Sequence, residues 1–85
     1  MKLDRTVRPD GLGTYALINL RTAQVAWGYA DSDDEFFVIK LQDCYAAAAL
    51  YAYARAAEAD DPAYAADIRA LAQRAHNHPQ HKPPA

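Results

Sequence analysis

The chain has 85 residues and a formal net charge of −2, so it is long enough for one domain and its charge indicates no particular partner. Its single cysteine, Cys44, cannot form an internal disulfide, which favours a reducing compartment. No apolar segment follows Met1 as in a secretory signal, and no run is apolar and long enough to cross a bilayer. We therefore expect a soluble, cytoplasmic protein that does not bind membranes.

The first part of the chain predicts an irregular arm and two short strands. Residues 1–13 are punctuated by proline and glycine, which disfavour regular structure. Residues 14–21 have the alternation of a strand, and residues 24–29 predict a second strand in which Gly28 marks a bulge or bend. The more apolar side of the first strand is expected to face the core, and it consists of Ala16, Ile18 and Leu20.

Residues 35–42 hold the longest run of large apolar side chains and follow an Asp-rich turn, which predicts a third strand. We expect this strand to pair antiparallel with residues 14–21, while the position of the strand at 24–29 remains open. One face of the third strand, expected to be covered by helices, carries Phe37, Ile39 and Leu41. The opposite face carries Phe36 and Val38.

The second half predicts two helices, over residues 44–59 and 62–76. The first is more than half alanine, the best helix former, and follows the capping residue Asp43. Asp61 caps the second helix, and Pro62 suits its first position. Because the link is short, the helices should form an antiparallel αα-hairpin. Tyr51 is expected on the polar side of the first helix, and the expected buried faces carry Ala46, Ala49, Leu50, Tyr53 and Ala57 in the first helix and Tyr64, Ile68, Leu71 and Ala75 in the second.

The predicted fold class is α+β, with a small antiparallel sheet of two or three strands packed on one face by the αα-hairpin. One domain is expected over residues 14–76, after the arm at 1–13. Residues 77–85 form a tail rich in proline and histidine, which is either disordered or laid down as an extended segment.

No motif in the sequence predicts catalysis or a cofactor. His76, His78 and His81 have a spacing that a metal could use, but no carboxylate or thiolate lies near them in sequence, which favours a solvated tail. Cys44 lies near a helix N-terminus, yet no base is close in sequence, so a plain thiol is favoured. Residues 31–35 are acidic but lack the glycine and the distant glutamate of a calcium loop, and they predict a solvated turn.

The clearest functional prediction is an open apolar sheet face. Two helices cover only one face of a small sheet, so the face carrying Phe36 and Val38 is left for a second copy, a partner protein or the N-terminal arm. Trp27 is equally well explained as a core residue or as an interface anchor. The predicted protein-binding residues are Tyr15, Leu17, Trp27, Tyr29, Phe36, Val38, Tyr51 and Arg55.

The segments EFFVIKLQD at 35–43 and AYARAAEADDPAYAADIRALAQRA at 52–75 carry a resemblance. The pattern resembles small accessory proteins, of no assigned activity, that are encoded on bacteriophage and prophage genomes. Small soluble phage proteins of this kind often bind and block a host protein, including defence systems such as CRISPR complexes. The resemblance therefore implies a protein of the host cell cytoplasm, but it assigns no functional residue.

These observations favour a non-enzymatic protein-binding module of phage or prophage origin, an inhibitor of a host defence system. Its partner would be a host protein or complex, or a second copy of the chain. The alternative is a nucleic-acid-associated regulator, although the modest basic content makes nucleic acid the weaker partner. That alternative would use Arg5, Arg8 and Arg21.

Overall fold

The computed structural model describes residues 11–84, which fall into two compact units, one ending at Phe37 and one beginning at Val38. The N-terminal unit contains strands β1 (Leu17–Ile18) and β2 (Val25–Ala26). The C-terminal unit contains helices α1 (Ala46–Ala57) and α2 (Pro62–His76). The α+β class is confirmed, whereas the predicted single domain over 14–76 and the packing of the hairpin on the sheet stay predictions. The arm up to residue 10 lies outside the described residues.

The sheet has two short strands that pair antiparallel, Leu17 opposite Ala26 and Ile18 opposite Val25. The predicted strands at 14–21 and 24–29 are therefore correct in place and direction but too long. Gly28 has a φ of +60°, in the left-handed region, and breaks the extended backbone soon after β2. The expected core side of the first strand is wrong, because Ile18 is 61% and Leu20 93% exposed.

The predicted third strand over residues 35–42 is wrong. Residues 35–40 form no helix, strand, turn or bend, and residues 41–42 belong to a turn in which the Asp43 N–H donates to Lys40 O at 2.9 Å. A strand requires a neighbouring backbone for its hydrogen bonds, and the described residues provide none here. The face expected to be buried is accordingly open, with Phe37 68% and Ile39 39% exposed.

The αα-hairpin is confirmed, and α2 has the predicted bounds. The Asp61 carboxylate accepts from the Tyr64 N–H at 3.1 Å, and Pro62 takes the first helical position. Helix α1 begins two residues later than expected, at Ala46. Asp43 still satisfies a backbone donor there, because its Oδ1 accepts from the Tyr45 N–H at 2.7 Å. None of the helices in residues 11–84 combines the length and apolar character needed to cross a membrane.

The core of the C-terminal unit consists of alanine. Tyr51 contacts Gln73 and Tyr53 contacts Tyr64, so a later residue of α1 meets an earlier residue of α2, as expected for antiparallel helices. Glu58, just past the end of α1, forms an ion pair with Arg69 of α2. The fully buried side chains are Ala46, Ala54, Ala65, Ala72 and, at 2% exposure, Ala75. Small side chains let the two backbones approach closely, so larger residues are displaced to the rim of the contact.

The buried face of each helix is rotated from the predicted one. Ala46 and Ala75 are buried as expected, whereas Ala49 and Tyr53 of α1 and Tyr64 of α2 are exposed. Ala54 and Ala72 take the central positions instead. The apolar pattern of the sequence places the larger side chains on the buried face. Close packing of antiparallel helices instead places the smallest side chains there.

Within residues 77–84 of the tail, Asn77 lies in a turn and Pro79 in a bend, and extended pairing is found at Lys82. Lys82 forms a parallel bridge with Asp43. The Lys82 N–H donates to Gln42 O at 2.7 Å, and Lys82 O accepts from the Cys44 N–H at the same distance. These bonds fix the tail beside the start of α1.

Candidate protein-binding site

The turn between β1 and β2 is organised by the Asn19 side chain. Its Oδ1 accepts from the backbone N–H groups of Arg21, at 2.9 Å, and Thr22, at 3.2 Å. Its backbone N–H donates to Gln24 O at 2.8 Å and closes the loop. Side-chain acceptors of this kind are typical of Asn in turns, and they set the register of the hairpin.

The two faces of this hairpin carry the predicted binding residues of the N-terminal unit. Leu17 and Ala26 share one face of the ladder, and Ile18 and Val25 share the other. Leu17, Ile18 and Val25 are exposed, and Ala26 is half-buried. The four predicted residues are all about half exposed: Tyr15 (49%), Leu17 (51%), Trp27 (48%) and Tyr29 (44%).

Two aromatic rings of this unit, those of Phe36 and Tyr29, pack against glycines. The Phe36 ring lies against Gly28, where a Cβ atom would come within 2.7 Å of Phe36 Cδ1. The Tyr29 ring lies against Gly11, and the Ala30 N–H donates to Gly11 O at 3.0 Å. Phe36 is therefore half-buried within the N-terminal unit, and the prediction that its side chain lies open is wrong.

The predicted binding residues of the C-terminal unit are in different environments. Val38 is 40% exposed, and Arg55 is exposed near the end of α1. Tyr51 is half-buried, and its hydroxyl donates to Gln73 Oε1 of α2 at 2.9 Å. The expectation that Tyr51 lies on the polar side of its helix is therefore wrong, because this tyrosine spans the rim of the helix contact. Roles for these residues in binding stay predictions.

The basic residues of the alternative function are not gathered in the described part of the chain. Arg21 is exposed in the turn after β1. Arg5 and Arg8 lie outside the described residues. A nucleic-acid site would need a cluster of positive charges, and a single arginine such as Arg21 does not form one.

Two of the tail histidines and the acidic loop make local hydrogen bonds, whereas Cys44 is a free, exposed thiol. His81 Nε2 lies 3.2 Å from His76 O, and His78 Nδ1 lies 2.8 Å from Gln80 O. In the acidic loop, Glu35 Oε2 accepts from the Asp31 N–H at 2.8 Å. Within residues 11–84, no group of three or more His, Cys, Asp or Glu side chains is arranged to hold a metal ion.

One exposed pair was absent from the predicted site. Tyr53 and Tyr64 are in edge-to-face contact with ring centroids 6.1 Å apart, and their hydroxyls are hydrogen-bonded at 3.0 Å. That hydrogen bond is the largest cause that raises the pKa of Tyr64. Tyr64 was expected on the buried face of the second helix. The short link between the helices is the sequence feature from which its contact with Tyr53 could have been predicted.

Comparisons with family models, with curated proteins and with solved structures found no match to this chain.

Proposed function

We propose that this protein is a non-enzymatic protein-binding module whose N-terminal unit docks onto a partner protein. The observation that carries the proposal is that no residue from Gly11 to Phe37 is buried, although this stretch is rich in large apolar side chains. A folded unit normally hides such side chains, and contiguous exposed ones are typical of interaction sites.

The energetics of this unit support a partner. Units below about 40 residues rarely hold together without disulfides, metals or association. The one cysteine of the chain lies outside this unit, at Cys44. Burying a large apolar side chain contributes about 1.5–3 kcal/mol. Covering the exposed halves of Tyr15, Leu17, Trp27 and Tyr29 would therefore stabilise the unit and the complex together.

The kind of partner follows from the resemblance to phage and prophage accessory proteins. It supports a host protein as the target, in the cytoplasm of the host cell. We propose that the chain inhibits a host defence system, such as a CRISPR complex, by occupying its surface. Trp27 and Tyr29 are the expected anchors, because aromatic side chains often dominate binding energy at interfaces.

The binding test uses the immobilised full chain to capture partners from host lysate, with Trp27→Ala as the test variant. Loss of the exposed indole should weaken capture of the specific partner by about tenfold or more. Tyr45→Ala is the matched control, since Tyr45 is 66% exposed but lies in the other unit. Recovery of no specific protein, or equal capture by the Trp27→Ala variant, contradicts the proposal.

The inhibition test adds the purified chain to the purified host complex and follows the activity of that complex. A blocking protein should abolish activity at about molar equivalence, because each copy occupies one site. The Trp27→Ala variant should require a large excess. Progressive loss of activity at far lower amounts would indicate catalytic turnover by the chain and would overturn the non-enzymatic assignment.

A further inference from the structure

The Tyr53–Tyr64 pair exposes two aromatic rings near the end of the hairpin where the helices are linked. Tyr53 is 53% and Tyr64 44% exposed, although their hydroxyls are hydrogen-bonded at 3.0 Å. The ring planes make an angle of 72°, so the edge of one ring points at the face of the other. Each aromatic face carries partial negative charge, and the exposed parts of both rings are open to a cation.

The Asp61 carboxylate lies beside this pair. Its Oδ1 atom accepts from the Tyr64 backbone N–H at 3.1 Å, whereas its Oδ2 atom makes no hydrogen bond within residues 11–84. Helical side chains lean towards the helix N-terminus, so the Tyr64 ring leans towards Asp61. The pKa of Tyr64 is raised first by the Tyr53 hydrogen bond, and the negative charge of Asp61 raises it as well.

The negative charge at this end of the hairpin is not neutralised by another side chain. Arg69, the basic residue of α2 nearest to the link, forms its ion pair with Glu58. Asp60 and Asp61 form no ion pair within residues 11–84. The dipole of α2 is positive at its start, but α1 ends beside it and contributes the opposite charge. The surface around the tyrosine pair is therefore negative.

This combination of ring faces and carboxylate identifies the ligand. We propose that Tyr53, Tyr64 and Asp61 form a second binding site, which takes the guanidinium group of an arginine on a partner protein. A guanidinium is flat, so it can stack on an aromatic face while its N–H groups donate to a carboxylate. The Asp61 Oδ2 atom is available as that acceptor. A lysine ammonium has no flat face, so the site should prefer arginine.

The open shape of the site favours an arginine on a protein over a free small molecule. Sites for small molecules bury most of the ligand, whereas both tyrosines lie about half exposed on the helix surface. Stacking and ion pairing on an exposed surface each change binding only a few fold. An arginine on a partner protein needs no enclosing pocket, because the remaining contacts of the interface add to its affinity.

Blocked arginine, N-acetyl-arginine amide, tests the site on the full chain without a partner protein. We expect saturable shifts of the Tyr53 and Tyr64 ring signals in NMR spectra, with a dissociation constant on the order of 10 mM. The citrulline analogue has the same shape without the charge and should cause no saturable shift. The lysine analogue should bind about threefold more weakly or worse. No shift with arginine, or equal shifts with citrulline, overturns the proposal.

Two variants locate the site. Asp61→Asn removes the charge but keeps a side chain that caps α2, and it should weaken arginine binding by about two- to fivefold. Tyr53→Ala removes one ring where alanine favours the helix, and it should weaken binding by a similar factor. Circular dichroism at helical wavelengths checks that each variant is folded. If one variant unfolds, the other still tests the site.

Matched controls remove the same groups elsewhere in the chain. Asp33→Asn removes one negative charge from an exposed turn of the N-terminal unit. Tyr45→Ala removes a ring that is 66% exposed just before α1. Both variants should bind blocked arginine as the wild-type chain does. If they weaken binding as much as Asp61→Asn and Tyr53→Ala do, the attraction is non-specific and the assignment of the site is overturned.

Two further measurements test the source of the arginine. Free arginine should bind no better than blocked arginine, and binding about tenfold tighter would assign the site to the amino acid instead. The tyrosine signals should not move when the chain alone is concentrated, and a shift would make a second copy the occupant. Because these experiments use neither host lysate nor Trp27, their failure and the failure of the docking proposal are separate results.

Discussion

The alanine core of the hairpin predicts an unusual sensitivity to added volume. Ala72 of α2 is fully buried, whereas Ala70, two residues earlier in the same helix, is exposed. Leucine has nearly the helix propensity of alanine, so Ala72→Leu and Ala70→Leu perturb the helix itself almost equally. The two variants therefore isolate the effect of packing.

The expected magnitude follows from burial. Leucine adds three carbon atoms at a position where the backbones approach closely, and overpacking of this kind destabilises a core by about 1–3 kcal/mol. At Ala70 the added carbons meet solvent, where substitutions stay within about 0.5 kcal/mol. For a domain of this size, each kcal/mol lowers the melting temperature by about 4–8 °C.

Thermal unfolding followed by circular dichroism at helical wavelengths measures both variants against the wild-type chain. We expect Ala72→Leu to melt well below the wild type and Ala70→Leu to melt close to it. If Ala72→Leu is as stable as Ala70→Leu, the close approach of the helices at Ala72 is refuted.

Two further predictions concern the aromatic contacts. Gly28→Ala should destabilise the N-terminal unit by about 1–3 kcal/mol, because φ is +60° there and the Phe36 ring occupies the Cβ position. Limited proteolysis of residues 11–37 measures this effect against Gly13→Ala, which has open space; equal cleavage contradicts it. The raised pKa of Tyr64, due first to the Tyr53 hydrogen bond, means that the folded state holds this proton more tightly. The protonated Tyr64 hydroxyl therefore stabilises the folded state fully below about pH 10, and this contribution is lost as pH rises through the pKa of the folded state. Tyr53→Phe should lower the pKa of Tyr64 in a spectrophotometric titration, and Tyr45→Phe should not; an unchanged titration in Tyr53→Phe argues against the hydrogen bond.

The helices could be predicted because their causes are local. Alanine content and the Asp61-Pro62 pair act within one or two turns of chain, and α2 begins and ends where the pattern places it. Tyr15 and Leu17 were expected on an open sheet face and are about half exposed, whereas the sequence left Trp27 as either a core residue or an interface anchor. The position of Tyr51 was not predicted, because a small rotation of the helix moves a side chain from the solvent to the rim of a contact.

The sequence by itself determined the number of helices, the limits of α2, the places of the two short strands and the excess of apolar side chains. Only the tertiary structure decided which alanines are buried, how the tail pairs with residues 42–44 and that residues 35–42 form no strand. Propensity describes how a segment prefers to lie, but a strand exists only when another backbone accepts its hydrogen bonds. No backbone in the described part of the chain pairs with residues 36–39. The segment with the highest β-propensity in the sequence therefore forms no strand.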